Sequence, residues 1–228
     1  MKLSVLNDVA SQKKDSVEAR VAATPDTVAI YIKAGHSVTV AKGAGAKADF
    51  ADALYKDAGA TIVATNAAAV KSADLVLSIT GGNEKIVAAM PSGSGITGVL
   101  SPTDNPKYAA ACAKAGVTAY ALDYIPRISR AQSMDVLSSQ SNLSGYRSVV
   151  EAGGIYGRAF PMMMTAAGTI APAKVFIMGV GVAGLQAIAT ARRLGAVTTA
   201  TDVRPATKEQ VASLGAKFIA VENEEFKA

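Results

Sequence analysis

The chain has 228 residues, half of them apolar, with 18% charged residues, few aromatics and no Trp. That length and apolar share are enough to bury the cores of one large or two small α/β domains. The formal charge of +5 is modest and is not gathered into a basic run, which excludes a nucleic-acid-binding stripe.

Strand-like and helical runs alternate from the N-terminus. Lys2 to Leu6 reads as a strand with no secretory leader ahead of it, and Pro25 opens a helical segment that runs through Ala34 and stops at Gly35. His36 sits in the turn that follows and reads as structural. Ser37 to Ala41 alternates Val38 and Val40 against Ser37 and Thr39, as a half-buried strand does. Asp49 to Ala58 is predicted helical and ends at Gly59. Thr61 to Ala64, Asp74 to Ile79, Gly98 to Leu100 and Val117 to Leu122 are predicted strands, with a helix from Asn105 to Ala115 stopped by Gly116. Cys112 lies in an Ala-rich stretch of that helix with no acid–base partner spaced near it, so it reads as a small buried hydrophobe rather than a nucleophile. As the single cysteine it cannot close an internal disulfide, and a reducing, cytoplasmic location is expected.

Strands alternating with helices imply βαβ units and a parallel sheet. The first α/β unit is expected to end near residue 135, and 136–165 reads as a long connecting helix weakened by Gly153 and Gly154. Met162, Met163 and Met164 near its end read as adaptable core packing rather than a cofactor contact. Two uncharged stretches are long enough to test as membrane spans. Ile86 to Thr103 is broken by Pro, Ser and Gly and reads as turn, strand and turn; Val175 to Ala191 crosses a glycine-rich turn and carries Gln186. Neither is expected to cross a bilayer.

The second unit, 166–228, opens on Lys174 to Met178, an apolar run typical of a central parallel strand. Gly179-Val180-Gly181-Val182-Ala183-Gly184 follows, then a helix from Leu185 to Leu194. In that strand–turn–helix context each glycine has a reason. Gly179 permits the tight turn, Gly181 lets backbone approach a pyrophosphate, and Gly184 lets helix and strand pack closely. The helix N-terminus then offers N–H groups and a positive dipole end to phosphates. The next strand, Val197 to Thr201, ends in Asp202, a carboxylate placed to accept from an adenosine ribose and to repel a 2′-phosphate. This favours NAD over NADP, although Arg204 is a residue type that accommodates that phosphate. A helix from Thr207 to Leu214 and a strand from Lys217 to Val221 complete β-α-β-α-β, one mononucleotide-binding half. The fold class expected is α/β with two Rossmann-like parallel-sheet units, the second truncated after its first half.

Between the units, Pro126 to Asn142 is dense in hydrogen-bonding side chains and directly follows a strand end, where open α/β sheets bind ligands. The same residues also read as a capped helix start, with Asp135 or Ser133 as N-cap. Resemblance favours the first reading. Pro126 to Asn142, continued by Leu143-Ser144-Gly145-Tyr146-Arg147, resembles the signature loop of the NAD(H)-binding component of proton-translocating transhydrogenases. Arg158 to Thr169, Gly179 to Gly195, Ala200-Thr201-Asp202-Val203-Arg204, and Glu18 to Ala22 with Thr24-Pro25 are similar to further motifs of that family, in the same order.

The resemblance implies a chain that holds NAD(H) and passes hydride to NADP+ on a partner component, while a membrane-embedded component moves a proton. It implies a homodimer on the cytoplasmic face of the inner membrane, attached through its partners. Gly179, Val180, Gly181, Val182, Ala183, Gly184, Asp202, Val203 and Arg204 would hold the cofactor, and Arg127, Gln132, Asp135 and Ser138 would surround the nicotinamide and its ribose. No metal is implied. Asp8 to Asp15 departs from the family's short basic loop, which weakens any role for Lys13 or Lys14. Alanine dehydrogenase shares the architecture, but its family lysine is replaced here by Ser78-Ile79-Thr80-Gly81-Gly82, and no histidine follows His36. A cofactor-binding or assembly module without catalysis of its own is the third reading.

Overall fold

The first 135 residues fold around a doubly wound parallel sheet. In the computed structural model, which describes residues 1–11 and 18–220, the elements run β1 (Lys2–Val5), α1 (Asp8–Ser11), α2 (Pro25–Lys33), β2 (Ser37–Ala41), α3 (Asp52–Asp57), β3 (Thr61–Val63), α4 (Asn66–Val70), β4 (Leu75–Leu77), α5 (Glu84–Ala88), β5 (Gly95–Gly98), α6 (Pro106–Ala115) and β6 (Thr118–Ala121). The six strands are parallel in the order β3-β2-β1-β4-β5-β6, so the winding reverses between β1 and β4. Successive residues of a strand face opposite sides, and β4 shows it. Val76 joins Leu6, Val87, Ile96, Tyr108 and Cys112 in one core, while Leu77 joins Val5, Val28, Val40 and Tyr55 in the other. Cys112 is thus a buried packing residue, and burial pushes its thiol pKa up.

Local signals fix several ends. Thr24 caps α2 by accepting from the Thr27 N–H, with Pro25 at the first helical position. Gly116 closes α6 in the left-handed region at φ 69°. Elsewhere the structure departs from the pattern. The helix predicted from Asp49 starts at Asp52, because Asp49 itself is left-handed at φ 61° and ends a 3₁₀ turn. Glu84–Ala88 is a helix, not a turn, and Asn83 caps it by accepting from Lys85 and Ile86 N–H. The fifth strand is Gly95–Gly98 rather than Gly98 to Leu100. Lys13 and Lys14 lie outside the described residues.

The chain divides into two compact units, Met1–Asp135 and Val136–Ala228. The second begins with α7 (Val136–Ile155), which runs unbroken through Gly153 and Gly154 and stops well short of 165. A hairpin of β7 (Met163–Thr165) and β8 (Gly168–Ile170) takes the place of the predicted helix end. Met162, Met163 and Met164 are exposed there instead of packing a core. Then come β9 (Lys174–Met178), α8 (Val182–Arg193), β10 (Val197–Thr201), α9 (Thr207–Ser213) and β11 (Lys217–Phe218), three parallel strands in the order β11-β10-β9. Among the described residues β9 is an edge strand with Phe176 and Met178 exposed, not a central one. The predicted end of the last strand, Val221, lies outside the described residues.

Candidate functional site

At the carboxyl end of β9 the backbone must reverse into α8 within a few residues. Gly179 makes the turn at φ 91°, and its N–H donates to the Thr201 carbonyl at 2.9 Å. Gly181 is the N-cap of α8, with no side-chain cap. The first-turn N–H groups of Val182, Ala183 and Gly184 therefore have no carbonyl one turn back, and the helix presents its positive dipole end. A Cβ added to Gly181 would meet nothing within 4 Å, so open space adjoins the backbone there. At Gly184 the opposite holds: a Cβ would collide with the Gly179 carbonyl oxygen, so turn and helix touch backbone to backbone.

α7 packs on the same helix end. A Cβ on Gly145 would collide with the Ala183 carbonyl oxygen. Nearby, the Asn142 amide donates to Gln186 Oε1 at 3.1 Å, and the Gln186 amide donates to Thr190 Oγ1 at 3.1 Å. Ser138 lies half-buried on the first turns of this α7.

Asp202, directly after β10, ties the turn down from the other side. Its Oδ2 accepts from the Val180 N–H at 2.6 Å and its Oδ1 from the Arg204 N–H at 2.9 Å. The Arg204 guanidinium adds a fork, Nε to Oδ1 at 2.9 Å and Nη2 to Oδ2 at 3.0 Å, and Nη2 also donates to the Val180 carbonyl at 3.2 Å. The Asp202 side chain is 7% exposed and that of Arg204 61%. The guanidinium holds the Asp202 carboxyl well below the usual carboxylate range, helped by the Val180 and Arg204 N–H groups and opposed by burial. Val203 is exposed beside them. The structure therefore gathers the whole predicted cofactor set, Gly179 to Gly184 with Asp202, Val203 and Arg204, at one end of one small sheet.

The residues predicted around the reacting ring fall on either side of the unit boundary. In the first unit, Asp123 after β6 accepts from the Leu100 and Ser101 N–H groups at 3.0 and 2.9 Å, holding Ser101 at a left-handed φ of 43°. The chain then passes through exposed Arg127 into a 3₁₀ turn, Ser129–Met134, seated by the buried Ala131. Gln132 is exposed on that turn, and its carbonyl accepts from the Asp135 N–H at 3.3 Å. Asp135 stands immediately before Val136, in the N-cap position of α7; Ser133 is inside the 3₁₀ turn and is not the cap.

The first unit has its own switch point between β1 and β4, where a doubly wound sheet binds ligands. Asp8, after β1, bonds there to the loop that follows β4. Asp8 is 1% exposed and accepts from Ser78 Oγ at 2.6 Å, Ile79 N–H at 2.9 Å, and the N–H and hydroxyl of Thr80 at 3.1 Å. Arg20 pairs with Glu18 at 2.5 Å.

Residues 10–144 match the family model for the alanine dehydrogenase/PNT N-terminal domain, and residues 148–228 match that for the C-terminal domain. The chain belongs to the alanine dehydrogenase/PNT family. Within it, the chain is 51% identical over 216 residues to the first part of NAD(P) transhydrogenase subunit alpha from Rhodospirillum rubrum, covering 92% of this chain and 56% of that one. The chain thus spans little more than half the length of this relative. It superposes on the transhydrogenase from Sinorhizobium meliloti with a TM-score of 0.88 at 49% identity, over 96% of this chain and 64% of that one. An L-alanine dehydrogenase structure, at TM-score 0.77 and 24% identity over 96% of this chain and 60% of that one, shares the fold. The transhydrogenase resemblance and the α/β architecture read from the motifs are both borne out.

Three features of this family member's geometry were not read from the sequence. The Val180 N–H holds Asp202, Gly145 seats α7 on α8, and Asp8 binds the loop after β4. Gly145 carried a signal, a glycine inside an otherwise good helix, which marks close backbone approach. Asp8 carried none, since its partners lie about 70 residues away.

Proposed function

We propose that the second unit binds NAD(H) and that the chain serves a transhydrogenase as its NAD(H)-holding component, delivering hydride to NADP+ on a partner component. The observation that carries the reading is the pairing of the open backbone at Gly181 with the Asp202 carboxylate anchored on Val180 N–H. Helix N–H groups beside open space suit a pyrophosphate, and a carboxylate at the end of the second strand suits an unphosphorylated ribose. The names of the relatives support the same conclusion: they are pieces of an α subunit, so partners carry the remaining steps. By resemblance those steps are NADP(H) binding and proton movement by a membrane component. By the same resemblance the chain is a homodimer on the cytoplasmic face, held to the membrane by its partners. Among the described residues no helix is long and apolar enough to cross a bilayer.

NADH supplies a hydride from its dihydronicotinamide ring. The protein's role is to hold that ring in near-attack geometry and keep water away. The loop's resemblance supports Arg127, Gln132, Asp135 and Ser138 for this role. Gln132 can orient the nicotinamide-side ribose through its amide, Ser138 can hydrogen-bond the ribose or carboxamide, and Arg127 with Asp135 can form a switchable ion pair at the ring. None of these roles needs a general base. The amino-acid dehydrogenase reading is disfavoured because Ser78-Ile79-Thr80-Gly81-Gly82 stands where that family carries its lysine, and no histidine follows His36.

The test is transfer of hydride from NADH to an NADP+ analogue, with the NADP(H)-holding partner added to the intact protein. Gln132→Ala and Arg127→Ala should each slow transfer by roughly 10- to 100-fold, the size of a misplacement effect, with NADH affinity changed much less. Unchanged transfer rates in both variants would remove these residues from the reacting site.

A further inference from the structure

An ionised carboxylate offers about four acceptor positions. In Asp202 four N–H donors take them: Val180 N–H, Arg204 N–H, and the Nε and Nη2 of Arg204. The first two come from backbone fixed by the fold. The other two come from a guanidinium on a side chain that is 61% exposed. Two parallel N–H donors set side by side reproduce what a vicinal diol offers, two O–H donors on adjacent carbons. The fork thus occupies the face of Asp202 that an adenosine ribose would use, while the backbone contacts hold the carboxylate in place.

We propose that Arg204 stands in for the ribose diol before the cofactor arrives, so that binding exchanges the guanidinium fork for the 2′- and 3′-hydroxyls. This rests on the assignment of NAD(H) to the glycine turn. Arg204 is then a specificity-determining residue of an unexpected kind, because its role is to be displaced. A ligand with both hydroxyls can replace both donors. One lacking them leaves the fork where it is, and one with a 2′-phosphate brings a single hydroxyl and an added negative charge to the carboxylate. The exchange makes apparent cofactor affinity weaker than the ribose contacts alone would give, and faster to release.

Calorimetry on the intact protein compares NADH with its 2′,3′-dideoxyadenosine analogue, in wild type, Arg204→Ala and Arg204→Lys. The ratio of the two affinities cancels whatever the Arg204 charge does for the pyrophosphate. Removing the competitor should raise the preference for the diol roughly fivefold in Arg204→Ala, the scale of a well-aligned exposed ion pair, and nearly as much in Arg204→Lys, which keeps the charge and loses the fork. In wild type, the Arg204 Nε–H resonance should shift on adding NADH and stay in place with the dideoxy analogue. An unchanged or lowered ratio in Arg204→Ala overturns the proposal. So does an Nε–H resonance that ignores NADH. If neither wild type nor variants bind NADH, the assignment of the cofactor to this turn fails, and the proposal fails with it.

Discussion

Asp202 sits almost out of water between a backbone N–H and a guanidinium, and its acid behaviour follows from that position. Its carboxyl is held well below the usual range, first by the Arg204 guanidinium. A carboxyl whose folded pKa lies below its unfolded value, about 3.9, stabilises the fold in full above that value and loses the contribution as pH falls towards the folded one. The melting-temperature gap between wild type and Asp202→Asn is therefore expected to be constant from about pH 7 to 5 and to shrink below about pH 4. A gap that widens in acid contradicts the ion pair. At this scale the glycines and Asp202 were legible, because few residues can make a tight turn beneath a helix end and the acidic residue follows at a fixed distance. The orientation of Arg204 was not. A guanidinium two residues from a carboxylate can turn to it or to a phosphate, and sequence spacing is the same for both. Cys112 was legible from immediate neighbours, which narrowed the cap of α7 only to Asp135 or Ser133, whereas Asp8 meets partners about 70 residues away that no local pattern connects to it.

Among the elements, α7 shows how two glycines in one helix serve unlike purposes. Gly145 has the Ala183 carbonyl against it, while a Cβ at Gly154 would meet nothing within 4 Å. Gly145→Ala must force α7 and α8 apart and is expected to destabilise by about 1–3 kcal/mol, the usual range for overpacking. Gly154→Ala removes a helix-weakening residue in open space and is expected to stabilise by up to about 1 kcal/mol. Urea unfolding of the two variants should give opposite signs, and equal effects would show that α7 does not rest on α8 as described. The same logic explains the misplaced β5. Its Gly95 read as part of the turn ahead of a strand starting at Gly98, yet a Cβ at Gly95 would lie 2.9 Å from the Tyr120 ring and one at Gly98 2.7 Å from the Ser78 carbonyl, so the strand needs glycine to approach its neighbours. The β7–β8 hairpin was hidden for a different reason. Its methionines suit a core by composition, and only the fold shows them on the surface.

In the molecule as a whole, both units follow the doubly wound plan, with the second showing one half of it. The first has six strands and a reversal of winding, where Asp8 bonds to the loop after β4. The second has three strands and keeps its glycine turn open. The proposed seat of the nucleotide is that turn in the second unit. Gly181 offers the most direct test. Its backbone is in the extended region at φ −83° and ψ −166°, which any residue adopts, and a Cβ meets no protein atom. Valine should therefore fit the protein without harm and block only what approaches from outside. NADH titrated calorimetrically into the intact Gly181→Val protein should bind at least roughly tenfold more weakly than to wild type, the penalty of displaced backbone–phosphate contacts, with the melting temperature unchanged. Equal NADH affinity in wild type and Gly181→Val would show that the cofactor does not lie on this turn.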